Sequence, residues 1–212
     1  MIAISNLQVS RGGRSTLDLP AWRVQAGAMA LVTGPSGSGK TTLLHVLAGL
    51  LRPDRGSVEI DGVAIGALAE PARDAFRAGR IGVVFQTQRL MQSLTVTGNL
   101  ALALRLARRS ADRRRMTDVL GRLDIAHLAS RRPRSLSVGE AQRAAIARAI
   151  VAGPRLLLAD EPTSALDDAH AEAAIDLLCA EARACDATLV VASHDARIFE
   201  RFDTRLSLER SS

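Results

Sequence analysis

Residues 34–41 constrain the fold more than any other stretch of the chain. They read Gly-Pro-Ser-Gly-Ser-Gly-Lys-Thr and fit the pattern G-x-x-x-x-G-K-[ST], in which backbone N–H groups surround phosphate oxygens. The apolar run Met29–Thr33 precedes them, and apolar residues at helical spacing follow, namely Leu43, Leu44, Val46 and Leu47. The sequence therefore predicts a strand, a phosphate-binding loop and a helix whose positive N-terminus faces the phosphate.

The residues that would hold a phosphate tail and its metal ion follow from this loop. Lys40 would reach the β and γ phosphates, and the Thr41 hydroxyl would ligate Mg²⁺. Lys40 is the only lysine among 28 basic residues, and a compact ammonium suits the space between phosphates better than a planar guanidinium. The alternative is a glycine-rich turn before an ordinary helix. The expected phosphate-binding set is Gly34, Pro35, Ser36, Gly37, Ser38, Gly39, Lys40, Thr41 and Thr42.

Composition limits the class of protein. With 212 residues, 47% of them hydrophobic, the chain is long enough for a sizeable core. The formal charge of +6 would suit an anionic partner, but a large excess of arginine over lysine also suits a codon bias, so the charge decides little. Aromatic residues make up only 2%, which leaves few platforms for base stacking. We expect no nucleic-acid partner.

Neither the cysteines nor the N-terminus indicates a secreted or membrane-spanning protein. Cys179 and Cys185 have neither a metal-binding spacing nor a disulfide framework, so free thiols in a reducing compartment are expected. No charged start followed by an apolar segment occurs, and no apolar run approaches the roughly 18 residues of a membrane span. The sequence predicts a cytoplasmic protein.

Strands alternate with helices around the phosphate loop. Short β-like pieces, broken by Gly12-Gly13 and Pro20, fill about the first 30 residues, and Asp61-Gly62 joins two more pieces as a hairpin. These pieces predict a small antiparallel sheet. The remaining apolar runs predict a mainly parallel α/β sheet; they are 29–33, 81–85, 155–159, 188–192 and 205–208.

Helix-forming residues dominate the middle of the chain. An apolar helical stretch at 99–107 is followed by an arginine-rich joint between helices at 108–115. No linker isolates this region, so we expect one unit with a core and β subdomain at 1–85 and 154–212 and an inserted helical subdomain at about 86–153. The other predicted helices are 40–51, 138–152 and 168–184.

Two carboxylates end an apolar strand, where Asp160 and Glu161 follow Leu156, Leu157, Leu158 and Ala159. Ligands bind at the C-terminal edge of parallel sheets, so both carboxylates should lie beside the phosphate loop. Asp160 would belong to the Mg²⁺ shell, and Glu161 would polarise the attacking water as general base. The alternative is a strand end at which Asp160 caps the next turn.

Residues 136–143 read Leu-Ser-Val-Gly-Glu-Ala-Gln-Arg and open a helix. Ser137 and Glu140 fit the capping box S-x-x-E. A capped helix start also offers free N–H donors and a positive dipole to an anion. Spacing alone favours simple capping and leaves anion binding open.

Together these motifs resemble the nucleotide-binding subunit of an ABC transporter. The resemblance runs from residue 1 to about 209 and is strongest to the subgroup that serves lipoprotein release, macrolide-type efflux and cell division. It implies a P-loop NTPase (RecA-like) fold, ATP and Mg²⁺ as ligands, and ATP hydrolysis. The matching segments, in order, are GPSGSGKT, Gln86, LSVGEAQR, LLLADEP, Ser164-Ala165-Leu166-Asp167 and His194.

The resemblance also implies a head-to-tail homodimer beneath separately encoded integral-membrane permease subunits, on the cytoplasmic face of the membrane. ATP on one subunit's phosphate loop would be closed over by Ser137 and Gly139 of the other, and Asp167 would cross the interface. Gln86 would contact Mg²⁺ and water and link the site to the helical subdomain. His194 would contact the γ phosphate and position the water. Taken alone, Gln86 and His194 would be ordinary polar strand ends.

Several positions depart from the family pattern. Val138 replaces the first glycine of the signature segment, so its side chain must point away from the phosphate for the dimer to close. Glu140 replaces the usual glutamine. Arg11 stands where the family usually places an aromatic residue against adenine. A guanidinium can also stack on a base, and an exposed loop charge is the alternative.

Two surface features stay open at this level. The arginine cluster 108–115 suits anionic lipid headgroups, an acidic partner helix or, as charge runs usually are, a solvated face. Leu90, Met91 and Leu94 suit either a membrane partner or the core.

We expect an ATP-hydrolysing subunit that dimerises on ATP and drives conformational change in separate membrane subunits. A soluble ABC ATPase of DNA repair or translation would carry long coiled coils or two nucleotide domains, and these 212 residues contain neither. A regulator without turnover would not need both Glu161 and His194.

Overall fold

The structure, a computed structural model, describes residues 1–12, 14–164 and 168–209. Its strands are β1 (Ile2–Arg11), β2 (Arg14–Val24), β3 (Met29–Thr33), β4 (Arg55–Ile60), β5 (Val63–Ala64), β6 (Ile81–Val84), β7 (Leu156–Asp160), β8 (Thr188–Ala192) and β9 (Thr204–Ser207). Its α-helices are α1 (Lys40–Leu47), α2 (Glu70–Arg80), α3 (Val96–Leu106), α4 (Arg113–Arg122), α5 (Val138–Ile150) and α6 (Asp168–Ala184). Short 3₁₀ turns cover Ile65–Ala67, Ala126–Leu128, Pro133–Ser135 and Ala196–Arg201.

The larger sheet is parallel throughout. Its strands lie in the order β6-β7-β8-β3-β9, and each neighbouring pair runs in the same direction. All five residues of β7 and of β8 are buried, which is why their sequences are apolar without alternation. The predicted mainly parallel α/β sheet is confirmed.

The smaller sheet is antiparallel, in the order β2-β1-β4-β5. Asp61 and Gly62 have φ of 51° and 75° and form the turn between β4 and β5, as the hairpin dipeptide predicts. The first two strands are longer than predicted, because Pro20 lies inside β2 instead of breaking it. A proline is tolerated there since β2 is an edge strand and needs no donor on its open side.

The helix after the phosphate loop ends earlier than predicted. It ends at Leu47, not near residue 51. Gly49 adopts φ of 65°, and the Leu50 N–H donates to the His45 carbonyl at 2.9 Å. This is the glycine stop that ends many helices. It acts before Pro53, the residue on which the prediction relied.

Two other helical features differ from the prediction. Helix α2 was not predicted; it begins at Glu70, directly before Pro71, a residue that suits the first turn of a helix. The arginine cluster is not a single joint, because Asp112 caps α4 and accepts from the Arg114 N–H at 2.9 Å, so Arg113 to Arg115 form the first helical turn. No helix in the described parts of the chain has the length and apolarity to cross a membrane.

The parallel sheet separates two apolar cores. Leu156 and Leu158 of β7 face the core that contains α1 and the antiparallel sheet. Leu157, between them, faces the core built with α3 to α6. Side chains alternate in this way along any strand. The sheet is therefore covered on both faces, and its C-terminal edge carries the polar residues described next.

Candidate functional site

The predicted site residues meet at one edge of the parallel sheet. Gly34 follows β3, Glu161 follows β7, His194 lies two residues after β8, and Gln86 lies two residues after β6. The strands are in register, since Ala192 pairs with both Val32 of β3 and Asp160 of β7. Parallel strands that end together bring these residues side by side.

The phosphate loop depends on glycine at two positions. Gly34 and Gly39 have φ of 147° and 94°, values that residues with a side chain rarely adopt. A Cβ at Gly39 would collide with the carbonyl oxygen of Thr16, and one at Gly34 with that of Leu208. No side chain among the described residues caps α1. Its first-turn N–H groups therefore remain available to an anion, as predicted.

Lys40 folds back over the loop. Its Nζ donates to the carbonyl oxygens of Gly34 at 2.8 Å and Pro35 at 3.2 Å. The same Nζ lies 3.6 Å from Oε1 of Glu161, and the lysine side chain is only 7% exposed. The lone ammonium of the chain is thus held between the loop and the general-base candidate.

Glu161 is surrounded by polar groups from β8. His194 Nδ1 lies 3.0 Å from each carboxylate oxygen, and the Ser193 Oγ donates to Oε2 at 3.3 Å. The Glu161 N–H donates to the Ala192 carbonyl at 2.8 Å, which fixes the backbone at φ of 45°. Sequence reasoning missed Ser193, a fully buried polar residue. Its place between an apolar strand and His194 was the available signal.

Thr41 and Asp160 form an oxygen pair beside the loop. The Thr41 Oγ1 donates to Asp160 Oδ1 at 3.2 Å. Burial raises the pKa of the Asp160 carboxyl above its ordinary value, the Thr41 hydrogen bond lowers it, and the Glu161 charge raises it. A hydroxyl and a carboxylate oxygen are ligands that Mg²⁺ prefers. The two predicted metal ligands therefore lie together and fit a hard cation.

Gln86, the third predicted metal ligand, contacts the segment after β7. Its Nε2 donates to Ser164 Oγ at 3.4 Å. Gln86, Val138 and Glu161 line a cavity of about 30 Å³. Gln142 of α5 also lines it and donates to the Pro162 carbonyl at 2.8 Å. Sequence reasoning missed Gln142, which joins the signature helix to the strand end.

The signature segment begins α5 with a complete capping box. Ser137 Oγ accepts from the Glu140 N–H at 3.3 Å, and the Glu140 carboxylate accepts from the Ser137 N–H at 2.7 Å. These hydrogen bonds hold the pKa of the Glu140 carboxyl below its ordinary value. Val138 is 59% exposed. Within the described residues no hydrogen bond joins Ser137 or Gly139 to the phosphate loop, so the capping prediction is confirmed and their outer surface faces solvent.

A second carboxylate network holds the segment after His194. Asp195 accepts from Thr163 Oγ1 at 3.0 Å and from two guanidinium nitrogens of Arg197 at 2.8 and 2.6 Å. The Arg197 hydrogen bonds lower the pKa of the Asp195 carboxyl to about 2, against a smaller opposing effect of burial. This network joins the loop after β7 to the loop after β8.

Two predictions fall on parts of the chain that the structure does not describe. Asp167, expected at a dimer interface, lies outside the described residues, and so does the side chain of Arg11, expected against adenine. Both assignments stay predictions.

Comparison with known proteins follows the same motifs. The description of the ABC transporter family matches residues 17–164. This range contains the phosphate loop, the signature segment and the Asp160–Glu161 strand end.

Curated relatives extend the similarity over nearly the whole chain. An uncharacterized ABC transporter ATP-binding protein of Mycobacterium bovis is 40% identical over 98% of this chain. The chain spans 64% of that relative's length. The lipoprotein-releasing system ATP-binding protein LolD of Nitrobacter winogradskyi is 38% identical over 91% of this chain and 84% of its own length. LolD belongs with the subgroup that the sequence resembles.

Solved structures share the fold. The dimeric structure of MJ0796, a bacterial ABC transporter cassette, matches with a TM-score of 0.89 at 32% identity and covers 99% of this chain and 94% of that one. A dimeric post-hydrolysis structure of MJ0796 bound to ADP and Pi matches with a TM-score of 0.89 at 31% identity and covers 100% and 97% of the two chains. With its motifs, its site geometry and its fold in agreement, the chain belongs to the ABC transporter family.

Proposed function

We propose that the chain binds ATP with Mg²⁺ at residues 34–42, hydrolyses it as a dimer and drives conformational change in separate membrane subunits. One observation carries the proposal. Lys40 Nζ lies 3.6 Å from the Glu161 carboxylate, which itself lies 3.0 Å from His194 Nδ1. A phosphate-binding cation, a general base and an imidazole therefore share one point at the sheet edge, as hydrolysis of a phosphoanhydride requires.

The loop's own groups would bind the triphosphate. First-turn N–H groups of α1 and the Lys40 ammonium supply donors, and Ser38 Oγ is buried without a partner among the described residues. Phosphate oxygens would compete with Glu161 for Lys40 and so release the carboxylate. Thr41 Oγ1 and Asp160 Oδ1 would hold Mg²⁺, with Gln86 beside them, and the bound ion would neutralise charge on the phosphates.

Glu161 would accept the proton of the attacking water. Its carboxylate is oriented by Ser193 Oγ at 3.3 Å and by His194 at 3.0 Å, and it is rigid because its N–H is bonded to Ala192. His194 is 66% exposed, so its ring can turn toward a γ phosphate while Ser193 keeps the carboxylate in place. A general base so held contributes about 10²- to 10⁴-fold to a rate.

Dimerisation would complete each site. Ser137 and Gly139 face solvent at the start of α5, where the helix dipole favours an anion, and the neighbouring Val138 side chain can pack on a partner surface. The similar cassette MJ0796 is dimeric, which supports the head-to-tail arrangement. Asp167 would lie at the same interface. The helical subdomain at about 86–153 would then carry the signature segment toward the partner's phosphate loop.

Separate membrane subunits would receive the motion. The relative LolD is the ATP-binding protein of a lipoprotein-releasing system, and the described helices of this chain do not supply a membrane span. Attachment through permease subunits would place the chain on the cytoplasmic face of the membrane. Gln86 joins the site to the helical subdomain through the cavity shared with Val138 and Gln142.

Replacing the general base tests this function. Glu161→Gln keeps the size and two hydrogen-bonding atoms of the side chain but cannot take a proton. We expect ATP binding to persist, phosphate release to fall by at least about 10²-fold, and the variant to elute as an ATP-dependent dimer on sizing. Undiminished phosphate release would remove Glu161 from its role. Glu59→Gln, on β4 of the antiparallel sheet, serves as the matched control and should behave as the unsubstituted chain.

A further inference from the structure

A groove of about 600 Å³ opens on the face of the molecule formed by α2, β6, α3 and the C-terminal part of α5. We call it the α2–α3 groove. Its floor is apolar and includes Ile81, Val83 and Ala149, and its walls come from α2 and α3. None of the catalytic residues proposed above lines it. The groove is therefore a second surface, separate from the nucleotide site.

The apolar residues that the surface leaves exposed are concentrated here. Four large hydrophobic residues of the described chain are exposed, and three of them, Leu50 (48%), Met91 (50%) and Leu106 (63%), line the groove. The fourth is Val138 of the signature segment. Leu90, which the sequence analysis placed beside Met91 as a partner contact, is instead buried in the core. An exposed apolar cluster of this kind marks an interaction surface.

The groove is also strongly basic. It is lined by one aspartate and four arginines. Asp74 pairs with Arg77 at 2.9 Å, and within the described residues none of the other three, Arg89, Arg108 and Arg148, has a carboxylate within ion-pair distance. Arg89 stacks over the ring of Phe85 at 4.6 Å, and the Arg148 guanidinium donates to the Arg89 carbonyl.

Arg148 is the most constrained of these cations. It lies half-buried on α5 among apolar residues, and burial lowers the pKa of its guanidinium from the ordinary value, with the nearby Arg89 charge lowering it further. A guanidinium in such a place lacks both full hydration and a counter-charge, so its electrostatic environment is unfavourable within the chain alone. An occupant with a carboxylate would correct this, and a guanidinium binds a carboxylate through two parallel hydrogen bonds.

We propose that the α2–α3 groove takes a short helical segment of the membrane subunit that has an apolar face and at least one carboxylate, which pairs with Arg148 and Arg89. The proposal rests on the proposed function, which supplies the membrane subunit. The volume agrees with it: a helix about 10 Å across that rises 1.5 Å per residue takes up roughly 120 Å³ per residue, so the groove accepts about five residues, or a little more than one turn. Leu50, Met91 and Leu106 pack on the apolar face, and the arginines select acidic segments over neutral ones.

Two matched peptides test the selection. Each is a fluorescein-labelled, twelve-residue amphipathic helix with leucines at positions i, i+3, i+4 and i+7; one carries two glutamates beside the leucine face and the other carries glutamines there. Anisotropy titration with the full chain at low salt should show about tenfold tighter binding of the glutamate peptide, and the difference should shrink in concentrated salt.

Arginine variants locate the effect. Arg148→Gln and Arg89→Gln should each remove most of the preference for glutamate, and Arg148→Lys should keep part of it. Arg89→Gln leaves the backbone acceptor of Arg148 intact, so it reports on charge even if Arg148→Gln perturbs folding. Arg113→Gln, exposed on α4 outside the groove, is the matched control and should keep the preference. Equal affinity for the two peptides, or a preference that survives both glutamine variants, would overturn the proposal.

Two other occupants give distinct results. Binding to phosphatidylglycerol vesicles that depends on Arg148, without any peptide preference, would identify a lipid-headgroup surface and refute a helical partner. Self-association without ATP that Arg148→Gln abolishes would identify a second copy of the chain instead. ATP turnover measured on the same preparations separates the two proposals: turnover without peptide preference overturns only this inference, whereas absent turnover overturns the proposed function.

Discussion

His194 Nδ1 lies 3.0 Å from both carboxylate oxygens of Glu161. The two residues follow different strands, so the orientation of the general base depends on β8 as well as on its own strand β7. Because β7 and β8 pair in parallel with Asp160 opposite Ala192, a shift of one strand against the other would separate the pair. The contact is therefore a direct measure of the register that builds the site.

Removal of the imidazole should slow turnover without abolishing nucleotide binding. In His194→Ala, Glu161 keeps its contacts with Lys40 and Ser193 but loses the group expected to position water and γ phosphate. We expect kcat to fall about 10²-fold and the dissociation constant for ATP to change less than about threefold, as measured by phosphate release and equilibrium binding. His127→Ala, at an exposed 3₁₀ turn, is the control. A kcat equal to that of the control would show that His194 has only a structural role.

The single lysine permits a selective labelling test. An acyl phosphate of ATP transfers its acyl group to an amine held beside the phosphates, and Lys40 is the only side-chain amine of the chain. We expect mass spectrometry to find modification at Lys40, with strong protection by excess ATP, because Nζ lies against the loop carbonyls of Gly34 and Pro35. The N-terminal amine is the internal control and should show no such protection. Labelling of Lys40 that ATP does not reduce would contradict the loop assignment.

Val138 offers a test of the dimer interface. Its side chain is 59% exposed at the first position of α5, beside the surface that would close over the partner's phosphates. A carboxylate there would be repelled by phosphate, so Val138→Glu combined with Glu161→Gln should lose the ATP-dependent dimer seen on sizing. Val138→Gly in the same background should retain it. If the glutamate variant dimerised as well as the glycine variant, this face would not lie at the interface.

The Asp195 network should make stability depend on acid. Hydrogen bonds from Arg197 lower the pKa of the Asp195 carboxyl from 3.8 to about 2, so the folded state favours the charged form. This contribution is fully present above the ordinary pKa and is lost as the pH falls from about 4 through about 2. Because Arg197 is 35% exposed, solvent screens the pair, and we expect about 1 kcal/mol.

Urea unfolding of Asp195→Asn measures this contribution. The variant should be about 1 kcal/mol less stable at pH 7, and the gap from the unsubstituted chain should narrow toward pH 2. Asp74→Asn removes the exposed helical pair with Arg77 and should cost under about 0.5 kcal/mol. A destabilisation of Asp195→Asn that did not vary with pH would show that the charge is not responsible.

Local motifs made the nucleotide site predictable. The loop at 34–41, the Asp160–Glu161 strand end and the Ser137 capping box each depend on residues close together in sequence, and the structure contains each of them. Predictions based on single breakers were less accurate. Pro20 does not break β2 because that strand lies at a sheet edge, and α1 ends at its own glycine stop before Pro53 can act.

The sequence by itself determined which chemical groups are present and where the strands that carry them end, because backbone preference and apolar pattern are local properties. Only the tertiary structure decided which groups meet. The contacts of Ser193 with Glu161 and of Gln142 with Pro162, and the separation of Met91 from Leu90 into surface and core, depend on residues far apart in the chain. Strand order and helix packing set those distances, and neither is specified by any single segment.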